Sequence, residues 1–503
     1  MICIPITETS AAAWRQSVSA ATTQADLIEL RMDYLPDADR AAALAQLPHL
    51  AAQLSIPFLL TFRPREQGGM RDMDIPERLA FWQSLPDEIK NAIAWADLEL
   101  DLVEHMLAHD IPPPIAWEKV ICSQHDFERT PPGLDALRAR IAATPAAVMK
   151  IATKANEIAD CLEIFSLIDH APKPVISLGM GMAGVSTRML GPSRGAMLTF
   201  GALRRGAESA SGQPTAAELR DLYRAGKLNR DSLIMGVIGN PVGHSRSPLI
   251  HNTALRALDI DGVYLPLEVM NAESFMRDFA HPATRRLAWN LRGLSVTIPH
   301  KLAVMPLLDH IDEAARAVGA VNTIVVAGNE LHGYNTDVAG AMAPLENLMP
   351  LRDARVAVLG AGGAARSIIY GLGQRGAHVT LYARNLARAR TLAAEFQVEA
   401  MTIEQFAGNV DLAVNCTPVG MHGHDEANSP LRTDQLRNIG LVYDLIYIPA
   451  ETTLLREARA AGCRTLNGMA MLIGQAAEQF RLWTGKTAPV DLMTEALEKA
   501  LRE

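Results

Sequence analysis

Arg355-Val356-Ala357-Val358-Leu359-Gly360-Ala361-Gly362-Gly363-Ala364-Ala365-Arg366 decides how the C-terminal half is read. Residues 356–359 are a short apolar run with the character of a buried strand, 360–363 a tight turn, and 364–374 the helix that follows. Glycines let a backbone approach a pyrophosphate, and the helix N-terminus offers free N–H groups and the positive end of its dipole. The pattern is Gly360-x-Gly362-x-x-Ala365, and a second apolar run at 377–382 completes a β-α-β unit. The same turn also occurs in ligand-free α/β folds with solvated arginines. An NAD site places Asp or Glu about 20 residues on, to hold the ribose hydroxyls. Here the chain reads Tyr382-Ala383-Arg384-Asn385, with Arg388 one helical turn further. Two guanidiniums suit the 2′-phosphate of NADP, so NADP is predicted over NAD.

The chain has 503 residues, enough for two to four domains at roughly 100–200 residues each. Hydrophobic residues make up 49% and charged residues 20%, a globular balance. A net charge of −9 disfavours nucleic acid. No apolar run approaches the ~18 residues of a membrane span, and the N-terminus has no signal-peptide character. The cysteines Cys3, Cys122, Cys161, Cys416 and Cys463 are scattered, with no Cys-x-x-Cys pair. That spacing predicts neither a disulfide framework nor a metal site, and suits the cytoplasm. Oligomeric state is left open.

In the first half, apolar runs alternate with helical patterns. Runs at 1–6, 26–30, 57–62, 92–98, 120–123, 147–151, 174–178 and 197–200 read as strands. Helical spacing recurs between them, for example at 76–85, 134–142 and 155–168. About eight such units in ~220 residues predict a (β/α)8 barrel, and a doubly wound sheet shows the same alternation. Polar residues gather at the expected carboxyl ends: Glu29 and Arg31 at the second strand, Arg63 at the third, His125 after the fifth, Lys150 within the sixth, Arg188 beyond the seventh. Lys150 sits in Ala-Ala-Val-Met-Lys-Ile-Ala-Thr, a run that should be buried. Burial disfavours an ammonium and favours the neutral, nucleophilic amine, a Schiff-base candidate for a carbonyl substrate. His125 could then move protons. Equally, Lys150 could snorkel to the barrel mouth, with His125 a satisfied loop residue.

Glu29-Leu30-Arg31-x-Asp33, Thr61-Phe62-Arg63, His125-Asp126-Phe127, Met149-Lys150-Ile151-Ala152 and Ser209-x-x-Gly212-Gln213 together resemble type I 3-dehydroquinate dehydratase across nearly all of 1–225. The resemblance implies an imine between Lys150 and the substrate ketone. It gives His125 the α-proton and the later assistance to water loss. It implies that Glu29, Arg31, Arg63, Arg188, Ser209 and Gln213 hold the carboxylate and hydroxyls. One departure is visible. Many relatives carry Glu before the Gly-Gly after the third strand, where it can orient the histidine; here Gln67 precedes Gly68-Gly69.

Residues 214–228 have helical spacing with Thr215 as N-cap, and 227–233 reads as a short linker. Beyond it, residues 234–238 form a strand that leads into Gly-Asn-Pro-Val-Gly-His-Ser245-Arg-Ser247-Pro. The two serine hydroxyls could face one polyol, or Ser247 could simply cap the helix after it. Val296-Thr297-Ile298-Pro299-His300-Lys301 and Gly333-Tyr334-Asn335-Thr336-Asp337 supply a lysine and an aspartate. They suit a proton-transfer couple or a surface salt bridge. With Asn322-Thr323, Asn415-x-Thr417-Pro418-x-Gly420-Met421, residues 443–447 and Asn467-Gly468-Met469-Ala470-Met471-Leu472-x-x-Gln475, these motifs closely resemble shikimate dehydrogenase over roughly 234–503. The resemblance implies Lys301 and Asp337 as the catalytic pair. It implies Ser245, Ser247, Thr297, Asn322, Asp337, Tyr447 and Gln475 around the substrate. Gly360, Ala361, Gly362, Gly363, Ala364, Arg384, Arg388, Leu445, Gly468 and Met471 would line the NADP(H) site.

The expected architecture is therefore an α/β chain. A (β/α)8 TIM barrel at 1–226 is joined through 227–233 to a two-lobed unit. Its substrate lobe is 234–337 with 467–503, and its Rossmann NADP domain is 338–466. Two consecutive enzymes are implied: dehydration of 3-dehydroquinate to 3-dehydroshikimate, then NADPH-dependent reduction to shikimate. A quinate/shikimate dehydrogenase acting oxidatively, or a dehydrogenase on an inactive barrel scaffold, are the alternatives. Retention of Ser247 favours shikimate by family analogy. Small-molecule substrates are the expected partners, with no nucleic acid and no membrane.

Overall fold

The computed structural model describes residues 1–423 and 425–502. Eight parallel strands come first: β1 Ile2–Ile6, β2 Leu27–Arg31, β3 Phe58–Thr61, β4 Trp95–Glu99, β5 Val120–Asp126, β6 Val148–Lys154, β7 Val175–Met180 and β8 Thr199–Phe200. They hydrogen-bond in the order β7-β6-β5-β4-β3-β2-β1-β8. The Met197 amide donates to the Val175 carbonyl at 2.8 Å, which draws the two edges together into a nearly closed barrel. The open-sheet alternative is thereby set aside.

Side chains alternate along each strand, so every second residue faces the barrel axis. Cys3, Leu27, Leu59, Ile121, Val148, Ile176 and Leu198 form one apolar cluster inside the barrel. Counting two residues onward from members of that layer reaches Glu29, Thr61, Ser123 and Lys150, and Asp97 is paired with Thr61 in the register. A further step reaches Arg31, Arg63, Glu99 and His125. The barrel is thus apolar at its base and charged toward the carboxyl ends of its strands.

Two readings of this half need correction. His125 lies within β5 and not after it. Residues 214–228 are not one helix: Thr215 does cap the turn, with reciprocal bonds to Glu218, but the wide helical segment Glu218–Leu222 stops short. Arg224 adopts a left-handed φ of 54°, and its guanidinium donates to the Ile260 carbonyl at 3.0 Å. The turn therefore spends its last residues pinning the two halves together. Arg230 reaches Asp169 at 2.8 Å, Arg194 reaches the Ala288 carbonyl at 2.7 Å, and one apolar cluster runs continuously from the barrel into the next sheet.

That next sheet contains β9 Leu233–Gly239, β10 Gly262–Glu268, β11 Leu291–Val296, β12 His310–Ile311, β13 Thr323–Ala327 and β14 Glu330–Tyr334, in the order β10-β9-β11-β13-β14-β12. The third sheet, β15 Arg355–Leu359, β16 His378–Ala383, β17 Glu399–Thr402, β18 Leu412–Asn415, β19 Leu441–Asp444 and β20 Arg464–Leu466, is all parallel with order β17-β16-β15-β18-β19-β20. This is the doubly wound order in which ligands sit where the strand order reverses, here between β15 and β18. The Met469–Thr484 helix returns to the second sheet. It meets the Thr336–Leu348 helix at Gly340 and Gly474, where a Cβ on Gly340 would lie 2.5 Å from the Gln475 nitrogen. Only glycine permits that approach.

Candidate active sites

The barrel mouth holds a dense array of buried charge. The Lys150 ammonium donates to Asp97 Oδ2 at 2.7 Å, lies 3.9 Å from Glu29, and sits 4.6 Å above the Phe200 ring. Arg63 donates to the same Asp97 oxygen at 2.7 Å and to Glu99 at 3.4 Å. Ser123 donates to Asp97 Oδ1 at 2.5 Å, and Thr61 to Glu29 at 2.7 Å. Arg31 is held in a fork by Asp33 at 2.9 and 2.7 Å. Lys150 is therefore buried but not bare, and snorkelling to solvent is excluded by its 3% side-chain exposure.

Burial alone would push the Asp97 carboxyl up, yet Arg63 and Lys150 overcome it and hold Asp97 far below the usual carboxylate range. Glu99 shows the opposite balance. Burial, aided by the charge of Asp97, pushes it up to about 7 despite Arg63 and Arg78.

His125 is paired with Ala152 in the register, two residues beyond the Ser123–Lys150 pair, so it faces the same interior. Burial first, then the charges of Arg63 and Lys150, hold its pKa well below 6.5, which leaves the ring neutral and able to accept a proton. Its Nδ1 has no hydrogen-bond partner among the described residues. Gln67 does reach His125, but by accepting its backbone N–H at 2.8 Å. The side chain that stands where relatives carry Glu thus ties down the strand and leaves the ring alone.

Arg188 lies in the Val185–Arg194 helix, fully buried. Among the described residues its one side-chain bond is to the Phe200 carbonyl at 3.4 Å and its Nε is unpartnered, and burial brings its pKa down to about 10. A buried guanidinium without a counter-ion is costly, and an incoming carboxylate would relieve it. Gln213 accepts from the Ser209 N–H and hydroxyl at 2.8 and 3.1 Å. Both residues line a cavity of 570 Å³ that extends to Gly243 and Pro266 of the second half.

In the second half, Lys301 donates to Asp337 Oδ2 at 2.6 Å. Asn322 donates to the other oxygen at 2.8 Å and accepts the Thr336 N–H at 2.8 Å. The couple is mostly buried, with side-chain exposures of 29% and 12%, so it is no surface salt bridge. Thr297 packs against Gly239 at the start of the serine loop, where a Cβ on Gly239 would meet its methyl at 2.4 Å. Ser245 and Ser247 are half-buried, and the Ser247 N–H donates to the Ser245 hydroxyl at 3.3 Å. The N-cap position of the Ser247–Ala257 helix is held by Arg246, so Ser247 is its first residue and not its cap. Tyr447, whose hydroxyl is pushed up by burial, lies close enough to Arg246 to feel its charge. Gln475 rides on the helix that packs against Gly340, one turn beyond Asp337, and its amide donates to the Leu472 carbonyl at 3.1 Å.

Gly360, Ala361, Gly362, Arg384, Asn385, Arg388 and Thr417 line one cavity of 490 Å³ at the strand-order reversal. Gly360 has a φ of 98°, and nothing lies within 4 Å of a Cβ built on Gly362 or Gly363, so the turn is an open cradle. Ala364 is in the first turn of the Gly363–Gly373 helix. Both arginines are exposed at one end of the cavity, as a dinucleotide 2′-phosphate would require. Gly468 abuts Leu445, with a would-be Cβ 1.9 Å from its carbonyl oxygen, and Leu445 and Met471 pack on the core of this sheet. These three lie apart from the arginine end, at β19 and the returning helix. The residues present fit NADP.

Asp97, Glu99, Arg78 and the Gln67 backbone contact were not foreseen. Asp97-Leu98-Glu99 carries the signal: two acids spaced by two in an apolar strand put both on its inner face.

Residues 2–230 match the family model for type I 3-dehydroquinase. Residues 237–324 match the shikimate dehydrogenase substrate binding domain, 468–498 the shikimate 5'-dehydrogenase C-terminal domain, and 355–437 the coenzyme F420-dependent NADP oxidoreductase model. A chloroplastic bifunctional 3-dehydroquinate dehydratase/shikimate dehydrogenase of Arabidopsis thaliana is 35% identical over 497 residues, covering 94% of this chain and 80% of that protein. An NADP+ shikimate dehydrogenase of Oleidesulfovibrio alaskensis is 46% identical over 260 residues, 51% of this chain and 91% of its own. A crystal structure of shikimate dehydrogenase with NADP+ superimposes with a TM-score of 0.52 at 34% identity, covering 55% of this chain and 98% of that one.

Proposed function

The chain belongs to the family of bifunctional 3-dehydroquinate dehydratase/shikimate dehydrogenases, and from that premise we propose how its own residues perform the two reactions. The enzyme is a lyase and an NADP-dependent oxidoreductase of the shikimate pathway. We assign the lyase to 1–226, substrate binding for the reductase to 234–337 with 467–503, and NADP binding to 338–466, with 227–233 between them.

In the barrel, the Lys150 amine attacks the ketone carbon of 3-dehydroquinate and water leaves, giving a protonated imine. Neutral His125 takes the α-proton, and the electron pair moves into the iminium. The pair then returns to expel the β-hydroxyl, which takes the proton from His125 and departs as water. Hydrolysis frees 3-dehydroshikimate and restores Lys150. Asp97 holds the Lys150 ammonium before reaction. Arg188 receives the substrate carboxylate, while Glu29, Arg31, Arg63, Ser209 and Gln213 orient the hydroxyls. The observation that supports this reading best is a buried lysine beside a neutral buried histidine on adjacent strands.

In the second half, bound NADPH supplies a hydride to the ketone carbon. The alkoxide charge that develops is met by Lys301, which delivers a proton; Asp337 and Asn322 keep the ammonium aimed. Ser245, Ser247, Thr297, Tyr447 and Gln475 hold the ring. Gly360–Gly363 and Ala364 would receive the pyrophosphate, Arg384 and Arg388 the 2′-phosphate, and Leu445, Gly468 and Met471 the nicotinamide end. The favoured product is shikimate, formed reductively in the cytoplasm. Among the described residues no helix is long and apolar enough to cross a membrane.

Borohydride with 3-dehydroquinate should add ligand mass to the peptide holding Lys150. Labelling that persists in Lys150→Ala would overturn the imine assignment.

A further inference from the structure

At the edge of the second sheet, β12 pairs in parallel with β14, and the register sets His310 directly opposite His332. Glu330 stands two residues before His332, on the same face of β14. Its Oε2 lies 3.3 Å from His310 Nε2 and 3.1 Å from His332 Nε2, and one ligand atom from each of the three falls within 4.8 Å of the others.

We propose that His310, Glu330 and His332 form a Zn2+ site. The separations suit the ion. Two ligands about 2.05 Å from a tetrahedral zinc stand roughly 3.3 Å apart. The two His–Glu distances already lie close to that value, so the carboxylate needs little movement to accept the metal. Each ring needs only its Nδ1–H tautomer to free Nε2 as a donor. Two imidazoles and one carboxylate are a zinc donor set, whereas Ca2+ and Mg2+ prefer oxygen alone. The side chains are partly exposed, at 60%, 52% and 28%, so the ion has an entry path and room for a water as fourth ligand.

The position gives the site a role. β12 follows Lys301 after a short 3-10 turn, Met305–Leu307, and β14 ends three residues before Asp337. His310 and His332 are therefore on the two segments that carry the catalytic couple. Zinc across β12 and β14 clamps those segments at their far ends. The scattered cysteines, from which no metal site was expected, have no part in it.

The test uses the full chain and Zn2+ alone, titrated against a chromophoric chelator, with native protein compared to His310→Ala/His332→Ala. The chain has 14 histidines, so the difference between the two titrations is the readout. The native chain should hold one more equivalent than the variant, and zinc should prolong the half-life of dehydrogenase activity on heating only in the native chain. Dehydratase half-life should not respond. Identical titrations would overturn the site; an extra equivalent without selective protection would overturn the clamp. Because the replaced side chains are partly exposed, Glu330→Gln provides a second variant of unchanged shape, which should also lose the extra equivalent.

Discussion

Asp97→Asn isolates the electrostatic core of the barrel. Asp97 is wholly buried and accepts from Lys150, Arg63 and Ser123 at 2.7, 2.7 and 2.5 Å. Asparagine has the same shape. Its oxygen can keep facing Lys150 and Arg63, and its amide can face Ser123, whose hydroxyl turns to accept. Contacts are largely preserved, and what is lost is the charge that compensates two buried cations. Removing one partner of a buried ion pair costs about 3–5 kcal/mol. Against a domain stability of roughly 5–15 kcal/mol this is a large fraction. With an m-value of about 2.5 kcal/mol/M in urea, the dehydratase midpoint should fall by roughly 1–2 M. The assay is residual activity after incubation in urea, each activity normalised to its own value without denaturant. Dehydrogenase turnover in the same chain is the internal control. Adding Lys150→Met removes one uncompensated cation. That variant has no dehydratase turnover, so its unfolding is followed by the fluorescence of the buried barrel residues Trp14 and Trp82, and the double variant should be more stable than the sum of the single losses implies. An unchanged dehydratase midpoint, or equal losses in both activities, would refute the argument.

Other consequences can be measured separately. Arg384→Ala should weaken NADP binding by about 10- to 100-fold, the worth of a charge-assisted phosphate contact, and leave NAD nearly unaffected; equal losses would remove the 2′-phosphate contact. Lys301→Ala should lower dehydrogenase kcat by roughly 100- to 10,000-fold with little change in substrate binding, and near-normal turnover would take it out of catalysis. His125 has its pKa depressed in the folded chain, so it stays neutral as pH falls through 6.5 and protonates only well below. The acid limb of dehydratase kcat/KM should therefore lie below pH 6.5, and Gln67→Glu, which sets a negative charge beside it, should move the limb upward. A limb above 6.5 in the native chain would contradict the buried, cation-flanked ring.

The barrel and the dinucleotide fold were legible because their signals are local. Alternating apolar runs mark strands, and Gly360-x-Gly362 needs only its own backbone to be read. Lys150 and His125 stood out as polar residues in apolar strands. Glu99 falls one residue beyond the apolar run at 92–98, and Asp97, although inside that run, is read as part of an apolar strand until period-two alternation pairs it with Glu99 on the inner face. The Gln67 contact could not be read at all, since it depends on how the loop after β3 folds across β5. The 214–228 segment misled because helical spacing says nothing of Arg224 turning aside to hold Ile260. His310 and His332 are 22 residues apart, and only the register of the edge strand β12 on its neighbour β14 brings them face to face.

The central claim is that the barrel makes what the second half consumes. Its most direct test is NADPH oxidation after 3-dehydroquinate alone is added to the purified chain. The account predicts oxidation in the native protein, none in Lys150→Ala, and recovery of that variant when 3-dehydroshikimate is supplied. Absence of oxidation in the native chain, or oxidation that survives Lys150→Ala, would contradict it.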